Sequence, residues 1–87
     1  MENRIAAISI LVEHPDSVEQ LNALLHQYRD CIIGRMGIPY REKGISVICL
    51  AVDAPMDQIN SLSGKLGRLP GVSAKAVCSG YQGGKGK

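Results

Sequence analysis

Between residues 4 and 12 the chain reads RIAAISILV, a run of β-branched and small apolar side chains too short for an ordinary helix, and it predicts a strand. The period then changes. From His14 to Tyr28, apolar residues Val18, Leu21, Leu24, Leu25 and Tyr28 recur at three- and four-residue steps, which puts one stripe of a helix of about three turns against a core. Pro15 suits a helix start, and Asp16 with Glu19 has the spacing of a capping box. ISVICLAVD, residues 45 to 53, is a further strand of β-branched and apolar residues. Asp53-Ala54-Pro55 opens a second helix whose stripe is Met56, Ile59, Leu62, Leu66 and Leu69. Gly64 inside it costs about 1 kcal/mol relative to alanine, which a close helix-to-sheet approach would explain. VSAKAVCS, residues 72 to 79, is the last strand. The remaining GYQGGKGK, residues 80 to 87, has nothing to bury and reads as a flexible tail on a domain spanning 1–79.

CIIGRMGIPY, residues 31 to 40, admits two readings. An apolar pair running into Gly34-Arg35-Met36-Gly37 is what an RNA-binding KH domain shows where its loop clamps a phosphodiester backbone. Such a loop must feed a second helix, yet Gly44 follows within seven residues of Gly37 and leaves no room for one. Pro39 also holds Ile38 in extended geometry. Arg41 to Gly44 then forms a turn, so the stretch reads as the first arm of a hairpin, with Gly34 and Gly37 marking a bulge and a close backbone contact.

The element order is β-α-β-β-α-β, the split unit of an α+β, ferredoxin-like fold: a four-stranded antiparallel sheet with strands one and three central and both helices on one face. Strand periodicity puts Ile48, Leu50 and Val52 on one side of the third strand and Val47, Cys49 and Ala51 on the other. Ile8, Ile10 and Val12 oppose Ala7, Ser9 and Leu11 in the same way. Two helices cover only one of these sets, so the other implies a second cover and a homodimer or homotetramer.

Composition narrows the function more than the fold. With 45% hydrophobic and 21% charged residues, the 87-residue chain is an ordinary small globule, and no apolar run reaches the ~18 residues of a membrane span. No cleavable leader pattern opens it, which with three widely spaced cysteines, Cys31, Cys49 and Cys78, each in an apolar stretch, points to a reducing, cytoplasmic location and small buried thiols. The net charge of +2 is scattered, and the chain has three Tyr with no Phe or Trp. A concentrated basic face and stacking platforms are both missing, which makes direct nucleic-acid binding an unfavoured reading.

The order of elements, Pro15 at the first strand-to-helix junction and Leu69-Pro70-Gly71-Val72 entering the last strand resemble ACT and ACT-like regulatory domains. More specifically, IIGRMGIPYREKGISVICLAVDAP and LSGKLGRLPGVSAKAV are similar to a small family of iron-only hydrogenase system regulators. The resemblance implies an ACT-like oligomer with a regulatory role in bacteria that carry the maturation system of that hydrogenase. Amino-acid-binding ACT domains have glycine after the junction proline. Here Asp16 follows Pro15 and sets a carboxylate where a ligand carboxylate would lie, which argues against an ordinary amino-acid effector.

No nucleophile sits beside a base, no paired carboxylates share an element, and no phosphate-loop or dinucleotide fingerprint occurs, so the reading is non-enzymatic, with no cofactor. His14 and His26 lack metal-ligand spacing and no metal site is expected. The candidate ligand-binding or interface residues are His14, Asp16, Gly34, Arg35, Gly37 and Tyr40, from the first strand-to-helix loop and the glycine-bearing strand. Arg35 suits a carboxylate or phosphate, or an exposed strand position. The expected function is therefore a ligand-sensing regulatory module with an unidentified small effector. The alternative is an adaptor that binds a protein partner without a small ligand, and a metal-responsive protein is a further, less favoured reading.

Overall fold

A computed structural model describes residues 2–80. From Tyr81 on, the tail expected over 80–87 lies outside the described residues. The elements are β1 (Asn3–Val12), α1 (Val18–Gln27), β2 (Ile32–Tyr40), β3 (Ile45–Pro55), α2 (Met56–Gly67) and β4 (Val72–Cys78). They form one antiparallel sheet in the order β2-β3-β1-β4, which is the ferredoxin-like arrangement.

Register explains the core. Ala6, Ile8 and Ile10 of β1 stand opposite Val52, Leu50 and Ile48 of β3, and all six are buried. On the same face Ile8 and Ile10 pair with Ala76 and Ala74 of β4. Those small side chains let α2 lie close over β4, where Ile59, Leu62 and Leu66 enter the core. Leu21 and Leu25 do the same from α1. Both helices thus serve one face of the sheet.

Four local expectations need correction. The chain does not enter α1 through an Asp16 capping box: a 3-10 turn, Pro15–Ser17, intervenes. Ser17, 2% exposed, is the residue that caps by position, and its hydroxyl donates to the carbonyl of Pro70, 2.5 Å away. The extra turn also rotates Val18 off the apolar stripe, and it is exposed. Asp53 to Pro55 finish β3 rather than open α2. Gly64 is exposed with open space where a Cβ would be, so no close approach requires it. Gly64→Ala should therefore raise stability by about 0.5–1 kcal/mol in a denaturant melt, through helix propensity alone; a loss would mean that an unseen contact uses the site.

The cysteines are free and half-buried rather than fully buried. Cys31 lies in a 3-10 turn before β2, not in a strand. The expected bulge is present, as a register shift between Ile32 and Gly34 opposite β3.

Candidate functional site

The sheet face away from the helices is apolar and bare. Across the four strands its rows are Gly34–Ala51–Ala7–Val77, Met36–Cys49–Ser9–Lys75 and Ile38–Val47–Leu11–Ser73, with Tyr40 and Ile45 beyond. Val77 is 69% exposed, Met36 59%, Ile38 54% and Leu11 42%. Lys75 carries the one formal charge in those rows. Four strands about 4.8 Å apart, with about eight paired residues rising about 3.3 Å each, give a face of roughly 500 Å² in projection. That is near the upper end of the largest exposed apolar patch on ordinary monomers, about 300–600 Å². The outer edge of β2 is a poorer docking strip, because the bulge at Ile33 and Pro39 interrupt its row of backbone donors.

The loop after β1 is anchored by the turn that enters β4 beside it, at the same end of the sheet. Gly71 adopts φ +68° at the third position of a Leu69-Pro70-Gly71-Val72 turn closed by Val72 N–H to the Leu69 carbonyl at 3.1 Å, as a type II turn requires. The Gly71 carbonyl accepts from Glu13 N–H at 2.7 Å. His14 Nδ1 lies 3.8 Å from an Asp16 carboxylate oxygen, with both side chains largely exposed.

The six sequence-derived candidates therefore divide. His14 and Asp16 stay together on the loop. Tyr40 approaches that loop from the end of β2, sharing a shallow hollow of about 260 Å³ with Pro15 and Pro39. Gly34 lies on the open face, whereas Gly37 and Arg35 register with Ile48 and Leu50 on the helix side. There Arg35 reaches the Asn22 side-chain oxygen of α1, at 3.4 Å, and lines a groove of about 410 Å³ with Asn22, Leu25, His26, Arg29 and Ile32. Sequence reasoning did not find Asn22 or Arg29. The available signal was their i, i+4, i+7 spacing with His26 along the polar side of the first helix.

A second hollow, about 460 Å³, lies between the end of α1 and the start of α2 and includes Tyr28, Asp30, Cys31, Asp57, Gln58 and Ser61. Its polar groups are partly paired among themselves: the Tyr28 and Ser61 hydroxyls are 2.9 Å apart and the Cys31 thiol donates to the Gln58 side-chain oxygen at 2.9 Å. The Lys65 ammonium sits 5.3 Å from the Tyr28 ring centroid. The Ser61 hydrogen bond, then Lys65, holds the Tyr28 phenol below its ordinary 10.0. Any stability this contributes appears only as pH rises through that lowered value, because below it the phenol is neutral both folded and unfolded. Ultraviolet titration should thus show a phenolate step that moves to higher pH in Ser61→Ala; an unmoved step would contradict the assignment. Among the described residues, no group of three His, Cys, Asp or Glu side chains could hold a metal ion, and no helix is long and apolar enough to cross a membrane.

Residues 4–76 match the model of the TM1266-like family, whose description reads "Iron-only hydrogenase system regulator, putative". Among solved structures, the uncharacterized protein TM1266 from Thermotoga maritima is 37% identical, with a TM-score of 0.85 over 88% of this chain and 98% of that one. None of the curated proteins matches the chain.

Proposed function

The chain belongs to the TM1266-like family of iron-only hydrogenase system regulators, and from that premise we propose that it is a non-enzymatic, ligand-sensing ACT-like module that works in the cytoplasm as a homo-oligomer. In the assembly, a second copy covers the open sheet face of the first. The observation that carries this reading is that face itself, mainly apolar on β1, β2 and β3 and opposite a core already complete without it. Its extent suits a dimer. A standard interface takes about 800 Å² of accessible surface per partner, and side-chain relief brings a face of roughly 500 Å² in projection into that range. Small residues in one of its rows, Gly34, Ala51 and Ala7, favour the close approach of a second sheet.

If folding is coupled to association, the melting temperature depends on concentration. A hundredfold increase should favour the folded dimer by about 2.7 kcal/mol and raise the midpoint by several degrees. A midpoint independent of concentration would count against the assembly. The regulatory part is tested separately: deletion of the gene from its host should change hydrogenase activity, and unchanged activity would oppose the role.

The same face also supports the adaptor reading, in which a different protein covers it. Purification from the host separates the two, since a homo-oligomer comes out alone and an adaptor brings its partner.

A further inference from the structure

We propose that the groove between α1 and β2 is the effector site of this module and takes a small organic anion bearing a phosphate group. This rests on the ligand-sensing reading above and names the ligand chemistry. Two guanidinium groups, Arg29 and Arg35, line the groove together with the His26 imidazole and the Asn22 amide, over a floor that includes Leu25 and Ile32. No carboxylate lines it. The ion pair found among the described residues joins His14 and Asp16, so neither arginine is neutralised by an acid.

Most of their hydrogen-bonding capacity is also unspent. Arg29 donates one bond, to the His26 carbonyl at 2.9 Å, which offsets the negative carbonyl end of α1 near the groove. Arg35 reaches Asn22 at 3.4 Å, longer than the 2.7–3.2 Å of an ordinary bond. A guanidinium offers five donors in a planar fork that matches phosphate oxygens two at a time. Two such forks suit a phosphate monoester, with a charge of about −1.5 to −2 at neutral pH, better than a single carboxylate.

Of the two glycines flanking Arg35, Gly37 shares its side of the strand and Gly34 lies on the open face. Positive φ among the described glycines occurs at Gly44 and Gly71, not at Gly34 or Gly37. A Cβ on Gly37 would meet only Ile48 Cγ1, at an ordinary 4.0 Å, and one on Gly34 nothing within 4 Å. The chain by itself therefore requires neither glycine. Gly37 lies two residues from Arg35 on the same side of the strand, and its missing side chain keeps that side open. The volume, about 410 Å³, lies in the usual range for small-ligand sites and leaves room for an organic portion over Leu25 and Ile32.

The test is calorimetric titration of the full chain with inorganic phosphate, adenosine monophosphate and adenosine, and with a short DNA duplex, with backbone amide shifts followed by NMR. Phosphate and the nucleotide should bind and shift the amides of Asn22, Arg29 and Arg35, while adenosine should not. Arg35→Gln should weaken nucleotide binding about 10- to 100-fold, as loss of charge-assisted bonds does. Arg29→Gln should weaken it likewise, and Arg41→Gln, in the hairpin turn, should leave it unchanged. Absence of binding, equal binding by Arg35→Gln, or tighter binding of the duplex through the same arginines would overturn the assignment. Light scattering on the wild-type chain keeps the two claims apart: a wild-type oligomer that binds no phosphate defeats the site alone, and a wild-type monomer defeats the assembly.

Discussion

Val47→Asp should reduce the mass in solution to that of one chain while circular dichroism still reports the native mixture of helix and strand. Val47 occupies the open face between Ile38 and Leu11, where the proposed second copy excludes water. A carboxylate there would be buried without a partner, at a cost of about 3–5 kcal/mol. Two-fold symmetry places one such group on each side of the interface. The dissociation constant should then rise by at least about four orders of magnitude. In the monomer the same carboxylate is solvated and costs only about 1 kcal/mol of strand propensity. Gln20→Asp, on the exposed side of α1, is the matched control and should change neither mass nor fold. Sedimentation velocity distinguishes the outcomes, and an undiminished oligomer in Val47→Asp would place the interface elsewhere.

Gly71→Ala should be the most damaging glycine-to-alanine substitution among the described residues. Its φ of +68° costs an L-residue about 1–2 kcal/mol. A Cβ would also stand 2.5 Å from His14 Cβ and 3.2 Å from His14 N, a clash that the adjoining backbone can relieve only by moving. Overpacking of this kind adds about 1–3 kcal/mol. The summed cost, about 2–5 kcal/mol, is a large part of the total stability of a domain this size and corresponds to a fall in melting temperature of roughly 10 °C or more. Gly44→Ala separates the two terms, because Gly44 has φ +66° but open space around its Cβ position. It should lose only the conformational part. Equal losses in both variants would show that the contact with His14 relaxes freely.

The sequence already carried the fold, because the two strongest signals in it are both local. β3 is a run of β-branched residues, and the stripe from Ile59 to Leu66 repeats at helical spacing. The Leu69-Pro70-Gly71-Val72 turn was equally local, since its chemistry lies in two adjacent residues. Val18 and Asp16 misled because a 3-10 turn changes the phase at which a helix begins, and periodicity counted from Pro15 cannot register that. Gly64 misled because an exposed glycine and a tightly packed one read alike in sequence.

The candidate site was legible only in part. Alternation along β1 and β3 revealed that the sheet has two apolar faces, since period two is a property of the strand alone. It did not show that His14 and Asp16 would be parted from Arg35, because the bulge between Ile32 and Gly34 decides which way each β2 side chain points. The groove depends on α1 lying beside β2. Asn22, His26 and Arg29 follow one another along α1 and the turn after it, and tertiary packing brings Arg35 of β2 to them.

The most direct test of the account is the mass of the wild-type chain in solution at micromolar concentration, measured by light scattering. A value of at least twice the 9.3 kDa of one chain is the predicted result. A mass of 9.3 kDa, with the apolar sheet face open to water, would contradict it.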